Sequence, residues 1–246
     1  MLVDVVLYGG EAEMLKCRLD HMKADLTVVV EGNRTFTNEW KGWTFDDVWD
    51  KLSEYHDRLV FHGIRSPEFS DPWANEAHQR NTAQDVLFDL DLFDDAIVAL
   101  FDTDEIPDPV ILREKPGVYG WMMAKYQMSV FWFQQKELTG VSAPWGWLRG
   151  QDLEQVRKRR ALHDTMDAGF HLSSFGSYED VMGKWRGFAH TELWRHDMPE
   201  WVLHCWENGR AIDNGEWLEQ TAEMNPGFPE YLKAMRGPSH WYRRRP

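Results

Sequence analysis

The feature that most restricts the fold is an alternation, over roughly the first hundred residues, of short β-branched apolar runs with stretches of helical period. Leu2 to Tyr8, Leu26 to Glu31, Arg58 to His62 and Ala96 to Phe101 read as strands. Between the first two, Ala12, Leu15, Leu19 and Met22 recur at helical spacing and give one apolar face to lay on a sheet. Thr44 to His56 reads as a second helix, with Thr44 as its N-cap and Asp46 and Asp47 in its first turn. A third runs from about Trp73 to Leu92. Repeated βα units predict an α/β fold, a mainly parallel sheet flanked by helices. Past Pro109 the pattern changes to an aromatic-rich region, Tyr119 to Phe133, then Trp145 and Trp147, then a charged helix from Asp152 to Leu162. This part is expected to be irregular and to pack on the first sheet, so that residues 1–246 make one domain.

The third helix carries the first hint of a site. Its apolar stripe, Ala83, Val86, Leu87 and Leu90, continues backwards onto Glu76, Gln79 and Arg80. That polar end lies beside the carboxyl ends of the strands, where open α/β sheets bind ligands. Glu76 and Arg80 also have the spacing of an ordinary helical ion pair.

The sharper signal is ALFDTDEIPDP, residues 99–109. Ala96 to Phe101 is continuously apolar, as a strand covered on both faces should be. Asp102, Asp104 and Glu105 follow at once, where such a strand would open onto a ligand crevice. If the segment stays extended, Asp102 and Asp104 point to one side and both reach a single hard cation, Mg²⁺ or Mn²⁺.

The formal charge of -14 gives that expectation weight. It argues against nucleic acid as a partner, and a phosphate-bearing substrate would need clustered basic residues or a divalent ion to offset it. A bare D-x-D also occurs in solvated turns, and Pro107 and Pro109 are suited to ending the strand. Cys17 and Cys205 are too few for a disulfide scaffold, so reduced thiols and a cytoplasmic setting are expected. No segment approaches the roughly 20 apolar residues of a membrane span.

Four stretches together resemble the family-17 glycosyltransferases, whose animal members are β-1,4-mannosyl-glycoprotein β-1,4-N-acetylglucosaminyltransferases. They are VVVEGNRTFTNEWK (Val28 to Lys41), WANEAHQRN (Trp73 to Asn81), FDTDEIPDP (Phe101 to Pro109) and DAGFHLSSFGSYEDVMGKWRGFAHTEL (Asp167 to Leu193). The resemblance implies a GT-A-like fold and a nucleotide-sugar donor, UDP-N-acetylglucosamine. It also implies a hydroxyl acceptor on a glycan or other molecule, and a metal at the D-x-D-like motif. Residues 1–110 would then form the nucleotide-sugar half and 111–246 the acceptor half.

On that footing Asp102 and Asp104 hold the metal and the donor diphosphate. Glu31, Asn33 and Arg34 lie on a donor-side loop. Arg80 and Asn81 serve the donor, Arg80 as a phosphate or carboxylate fork. His190, in FAHTEL, completes the metal shell. Inverting transfer needs a carboxylate to take the acceptor proton. Glu192 is expected to be that base if the segment after His190 is extended, with Asp167 and Glu105 as competitors. Trp145 and Trp147 are the tryptophans to examine for acceptor contacts.

Two alternatives remain at this stage. A haloacid-dehalogenase-like phosphohydrolase also sets D-x-D after a parallel strand, but usually the first, continuing to Thr or Val where this chain has Ile106. The other is a non-catalytic sugar-binding protein on the same fold.

Overall fold

In the computed structural model, which describes residues 1–234 and 236–242, every N-terminal apolar run becomes a strand. The basic stretch Arg243 to Arg245 lies outside the described residues. The chain runs β1 (Leu2–Leu7), α1 (Ala12–Met22), β2 (Leu26–Gly32), β3 (Leu59–Ile64), α2 (Pro72–Asp89), β4 (Ile97–Asp102), β5 (Glu105–Ile106) and α3 (Pro109–Glu114). It continues with β6 (Tyr119–Gln127), β7 (Trp132–Pro144), α4 (Trp145–Leu148), α5 (Leu153–Lys158), β8 (Asp164–Ser173), α6 (Tyr178–Gly187), α7 (Met198–Asn208), β9 (Glu219–Gln220) and α8 (Glu230–Lys233).

Strands β3, β2, β1 and β4 lie side by side and parallel. Their apolar runs are continuous because both faces are covered. One face of the sheet packs Val3, Val5, Val28 and Val30 under Ala83, Val86 and Leu87 of α2. The other packs Val6, Tyr8 and Val29 against Leu15 and Leu19 of α1 and against Phe45, Leu52 and Tyr55.

The aromatic region is more regular than its sequence suggests. β7 pairs antiparallel to β4 and to β6, and β8 runs parallel to β6. The sheet therefore continues as β4-β7-β6-β8-β5. Burial along these strands comes in blocks rather than in alternation, which hides the period that would announce a half-buried strand. Beyond Ser173 the described chain is helices and turns, with one two-residue strand, β9, paired to β7, as expected for an irregular C-terminal part.

The sheet also curls. β5 begins just after β4 ends, yet it pairs with β8 on the far side of β7 and β6. That closure folds the acidic end of β4 back over the carboxyl end of β8.

The predicted helix at Thr44 to His56 is instead two 3₁₀ segments, Thr44–Asp47 and Trp49–Arg58. Thr44 does not cap it. Glu31 does, accepting from Thr44 N at 2.9 Å, Thr44 Oγ1 at 2.6 Å and Phe45 N at 3.0 Å. A carboxylate at the strand end thus satisfies amides that a helix start leaves open.

Gly140 on β7 lies beside the end of β4, next to the Leu100–Val141 pair. A Cβ there would meet the Phe101 ring and come within 2.5 Å of the Leu100 carbonyl oxygen. Gly140→Ala is expected to lower stability by about 2 kcal/mol, the usual cost of overpacking, measured by urea unfolding.

Candidate active site

The acidic segment after β4 does not stay extended. Asp102 closes the strand, Thr103 and Asp104 form a tight turn, and Glu105 opens β5. Buried turns must find partners for their backbone groups, and this one is pinned from several sides. Thr103 Oγ1 donates to Leu7 O at 2.5 Å, and Asp104 O accepts from Leu172 N at 2.8 Å. Arg18 of α1 donates to Asp102 O at 3.1 Å and to Glu105 O. Arg18 is itself held by Asp4 of β1 through bonds of 2.8 and 2.6 Å, both side chains being wholly buried. The charge that interrupts the first apolar run is thus one half of a clamp on the turn.

Because the segment turns, its two aspartates enter different settings. Asp102 Oδ1 accepts from Arg80 at 3.0 Å and Oδ2 from Arg157 at 2.6 Å. Arg157, on α5, also forks onto both oxygens of Glu105 at 2.8 Å each. Arg80 spends its other nitrogens on Glu154 and Glu76, each at 2.6 Å. Burial alone would raise the Asp102 carboxyl, but Arg157 and Arg80 outweigh it and hold it down at about 2. Burial, with Asp102 and Glu154 adding to it, pushes Glu76 up despite Arg80.

Asp104 faces α6 and β8. Its Oδ2 lies 2.6 Å from Lys184 Nζ and 3.7 Å from His171 Nε2. His171 Nδ1 meets Glu137 at 3.1 Å, and Lys125 joins Glu137 at 3.2 Å to Asp213 at 2.9 Å. Burial opposes ionisation of Asp104, but Lys184 and His171 win and keep its carboxyl far below the usual range. Burial would likewise lower His171, yet Asp104 and Glu137 carry it up to about 9.

The remaining predicted residues divide by position. The loop after β2, the N-terminal end of α2 and the segment after α6 meet at the same edge of the sheet. Phe36 N donates to Gly187 O at 3.1 Å, Thr37 Oγ1 to Arg186 O at 3.0 Å, and Asn75 to Phe36 O at 2.8 Å. His190 packs edge-on against Trp73 at 4.4 Å and bonds Glu192 at 2.6 Å. Its segment is a 3₁₀ turn, Thr191–Leu193, rather than extended. Among the described residues no bond or ring contact joins His190 or Glu192 to Asp102 or Asp104.

Glu31 and Asn33 are buried and hold local backbone, Asn33 accepting from Ser66 N at 2.9 Å. Arg34 pairs with Glu68 at 2.6 Å and stacks on Trp40. Asn81 accepts from Glu154 N at 3.0 Å, fixing α5 to α2.

Asp167 pairs with Lys136 at 2.5 Å on β8. It lies five residues before Leu172, on the order of 16 Å along an extended strand from the acid turn. Trp145 and Trp147 follow β7, whose Pro144 pairs with Ile97 at the opposite edge of the sheet. Trp145 is 2% exposed and packs on Phe88, so it is core.

Sequence reasoning missed Arg157, His171 as a partner of Asp104, Lys184 and the Asp4–Arg18 pair. The one signal available was Asp4, a charge inside an otherwise apolar strand.

Parallel strands ending in paired carboxylates at a ligand edge, with antiparallel additions closing over them, make an architecture compatible with a GT-A-like fold. Comparison with known families identifies the class. The sequence matches the model of Glycosyltransferase family 17 over residues 1–201, most of the chain, so the protein is a glycosyltransferase. It belongs to glycosyltransferase family 17. Membership implies a sugar donor and an acceptor, and leaves the phosphohydrolase and non-catalytic alternatives without support. A search of curated proteins returned no match. Among the described residues, no helix is long and apolar enough to cross a membrane.

Arg157→Leu leaves Glu105 and Asp102 short of a buried partner and is expected to cost about 3–5 kcal/mol in urea unfolding at neutral pH. The Asp102 carboxyl is depressed, so its contribution to stability is complete above about pH 4 and fades as pH falls toward its folded value. In Arg157→Leu that acid-side decline should be shallower than in wild type.

Proposed function

We propose that the protein transfers N-acetylglucosamine from a UDP-sugar to a hydroxyl of a glycan or other acceptor, with inversion and with Mn²⁺ or Mg²⁺ at Asp102 and Asp104. The observation that carries the reading is the acid turn at the carboxyl end of β4, in a chain of family 17.

Among the described residues no group of three or more His, Cys, Asp or Glu is placed to hold a metal ion, so an ion here would rest on few protein donors. Mg²⁺-type sites do not need such a group, because they use one or two carboxylates and complete their shell with substrate phosphate and water. Each Asp102 oxygen accepts one guanidinium bond and keeps a second lone pair, and 36% of the side chain is open to solvent. Bound there, the ion would offset the charge of the departing diphosphate.

The protein's own groups take the other roles. Arg80 and Arg157 aim Asp102, since their nitrogens are already engaged within the cluster. Arg34, half-buried on the loop after β2, is assigned to the nucleotide side as the cation of that loop nearest in sequence to the strand end, with Glu31 and Asn33 fixing the neighbouring backbone at Thr44, Phe45 and Ser66. Asn81 acts through α5.

In the transfer itself the acceptor oxygen bonds to the anomeric carbon as the bond from that carbon to the diphosphate oxygen breaks. The electron pair of the broken bond leaves with the diphosphate, and the acceptor proton passes to a carboxylate on the opposite face. We assign that proton to Glu192, 57% exposed and oriented by His190. Glu105 is unsuited, its oxygens being occupied by Arg157 and by Asp102 N.

Mn²⁺ and UDP added together should raise the melting temperature by about 5 °C or more near a hundredfold excess over Kd, and each alone by less. No shift with any combination would remove the donor-site assignment. Asp104→Asn should reduce metal-dependent hydrolysis of UDP-N-acetylglucosamine by about a hundredfold or more with circular dichroism unchanged. An unaltered rate in that variant would exclude Asp104 from the site.

A further inference from the structure

Lys184 is the one basic side chain on a cleft of about 30 Å³ beside the acid turn, whose walls include Glu11, Asp104, Ser174 and Asp180. That volume suits one water or a bare ion. Asp180 is committed to the capping box of α6 and Glu11 to Gly9 N, so Asp104 is the carboxylate that faces the lysine directly. The ammonium at 2.6 Å from Asp104 Oδ2 stands where a cation bound to that oxygen would stand.

Two facts make this ammonium exchangeable. The Lys184 side chain is 27% exposed, so its four-carbon stem has a path toward solvent. Asp104 is also anchored through its backbone, its carbonyl accepting from Leu172 N on β8, so the carboxylate keeps its place if the lysine leaves. An ammonium and a divalent ion on one carboxylate repel each other, and a lysine released from Asp104 carries three donors suited to phosphate oxygens.

We propose that Lys184 is a mobile counter-ion and a donor-diphosphate ligand: it neutralises Asp104 in the ligand-free protein and moves to the diphosphate when a divalent ion takes its place. The inference rests on the donor-site reading above. It makes ion and diphosphate bind with positive coupling carried by one side chain.

The test is calorimetric binding of Mn²⁺ alone, and of UDP at saturating Mn²⁺, to wild type, Lys184→Gln, Lys184→Met and Lys184→Arg. With the competitor removed, the two neutral variants should bind Mn²⁺ alone about tenfold more tightly and UDP about tenfold more weakly. Lys184→Arg should keep UDP affinity within about threefold of wild type. As a measurement that leaves Lys184 intact, Asp104→Asn should bind UDP without metal about fivefold more tightly than wild type, and Asp104→Asn with Lys184→Gln should lose that gain. Unchanged or weakened Mn²⁺ binding in the neutral variants, or unchanged UDP binding, overturns the proposal, as does a gain that survives in the double variant. If wild type itself binds neither Mn²⁺ nor UDP, the donor-site reading fails and this inference with it; failure confined to the variants sinks the role of Lys184 alone.

Discussion

A carboxylate at the end of a strand covered on both faces cannot rely on water alone, and the arrangement of this molecule follows from how those charges are met. Asp102, Asp104 and Glu105 emerge together from β4, and each is given a cation from a different element: Arg80 from α2, Arg157 from α5, Lys184 from α6. Arg18, locked to Asp4, bonds the turn's carbonyls from beneath. Buried ion pairs of this sort are weak evidence for stability, because desolvation consumes most of the Coulombic gain. Their effect here is geometric. Two guanidinium groups fix the plane of Asp102, and a guanidinium fork is stiffer in this role than an ammonium would be.

The difference between the two aspartates follows from that geometry. Asp102 sits between rigid forks and is partly open, whereas Asp104 is more enclosed and held by a flexible lysine and a histidine. One is suited to keeping its position, the other to changing its partner. The family motifs around them converge at one edge of the sheet, where the loop after β2 bonds the end of α6 and His190 packs on Trp73.

Much of this was legible in the sequence, and the reasons differ by element. The parallel half was readable because β-branched runs and a helical stripe keep distinct periods, and α2 was visible to within a few residues. The acid turn was located but its shape was misread. Strict alternation would put Asp102 and Asp104 on one side, whereas the chain turns at Thr103 because Leu7 and Leu172 bond the turn there. Thr44 looked like a cap by residue type, yet Glu31, distant in sequence and adjacent through β2, does that work. β6, β7 and β8 escaped because their buried and exposed positions do not alternate: β7 runs from polar, exposed residues at Gln135 and Lys136 to a continuous buried stretch, and β8 is largely exposed over its first half. Arg157 and Lys184 could not be found from spacing at all, since their partners lie 55 and 80 residues away. Glu192 was expected to share a side with His190 if their segment were extended; it is a 3₁₀ turn, and the two still meet because they are near neighbours in sequence.

The pairing of β5 with β8 has a consequence for how the chain acquires its structure during synthesis. When the ribosome has released the first four strands, Asp102, Asp104 and Glu105 are in place without Arg157, His171 or Lys184, which are made later. In the N-terminal βα units Asp102 can already meet Arg80, but Asp104 and Glu105 lack their side-chain cations until the rest of the sheet curls round to meet them. Closure entropy for contacts of such separation opposes their early formation. A nascent chain halted before α5 would lack Arg157, His171, Lys184 and the strand that pairs β5, so the acid turn takes its final setting only when the rest of the sheet is made.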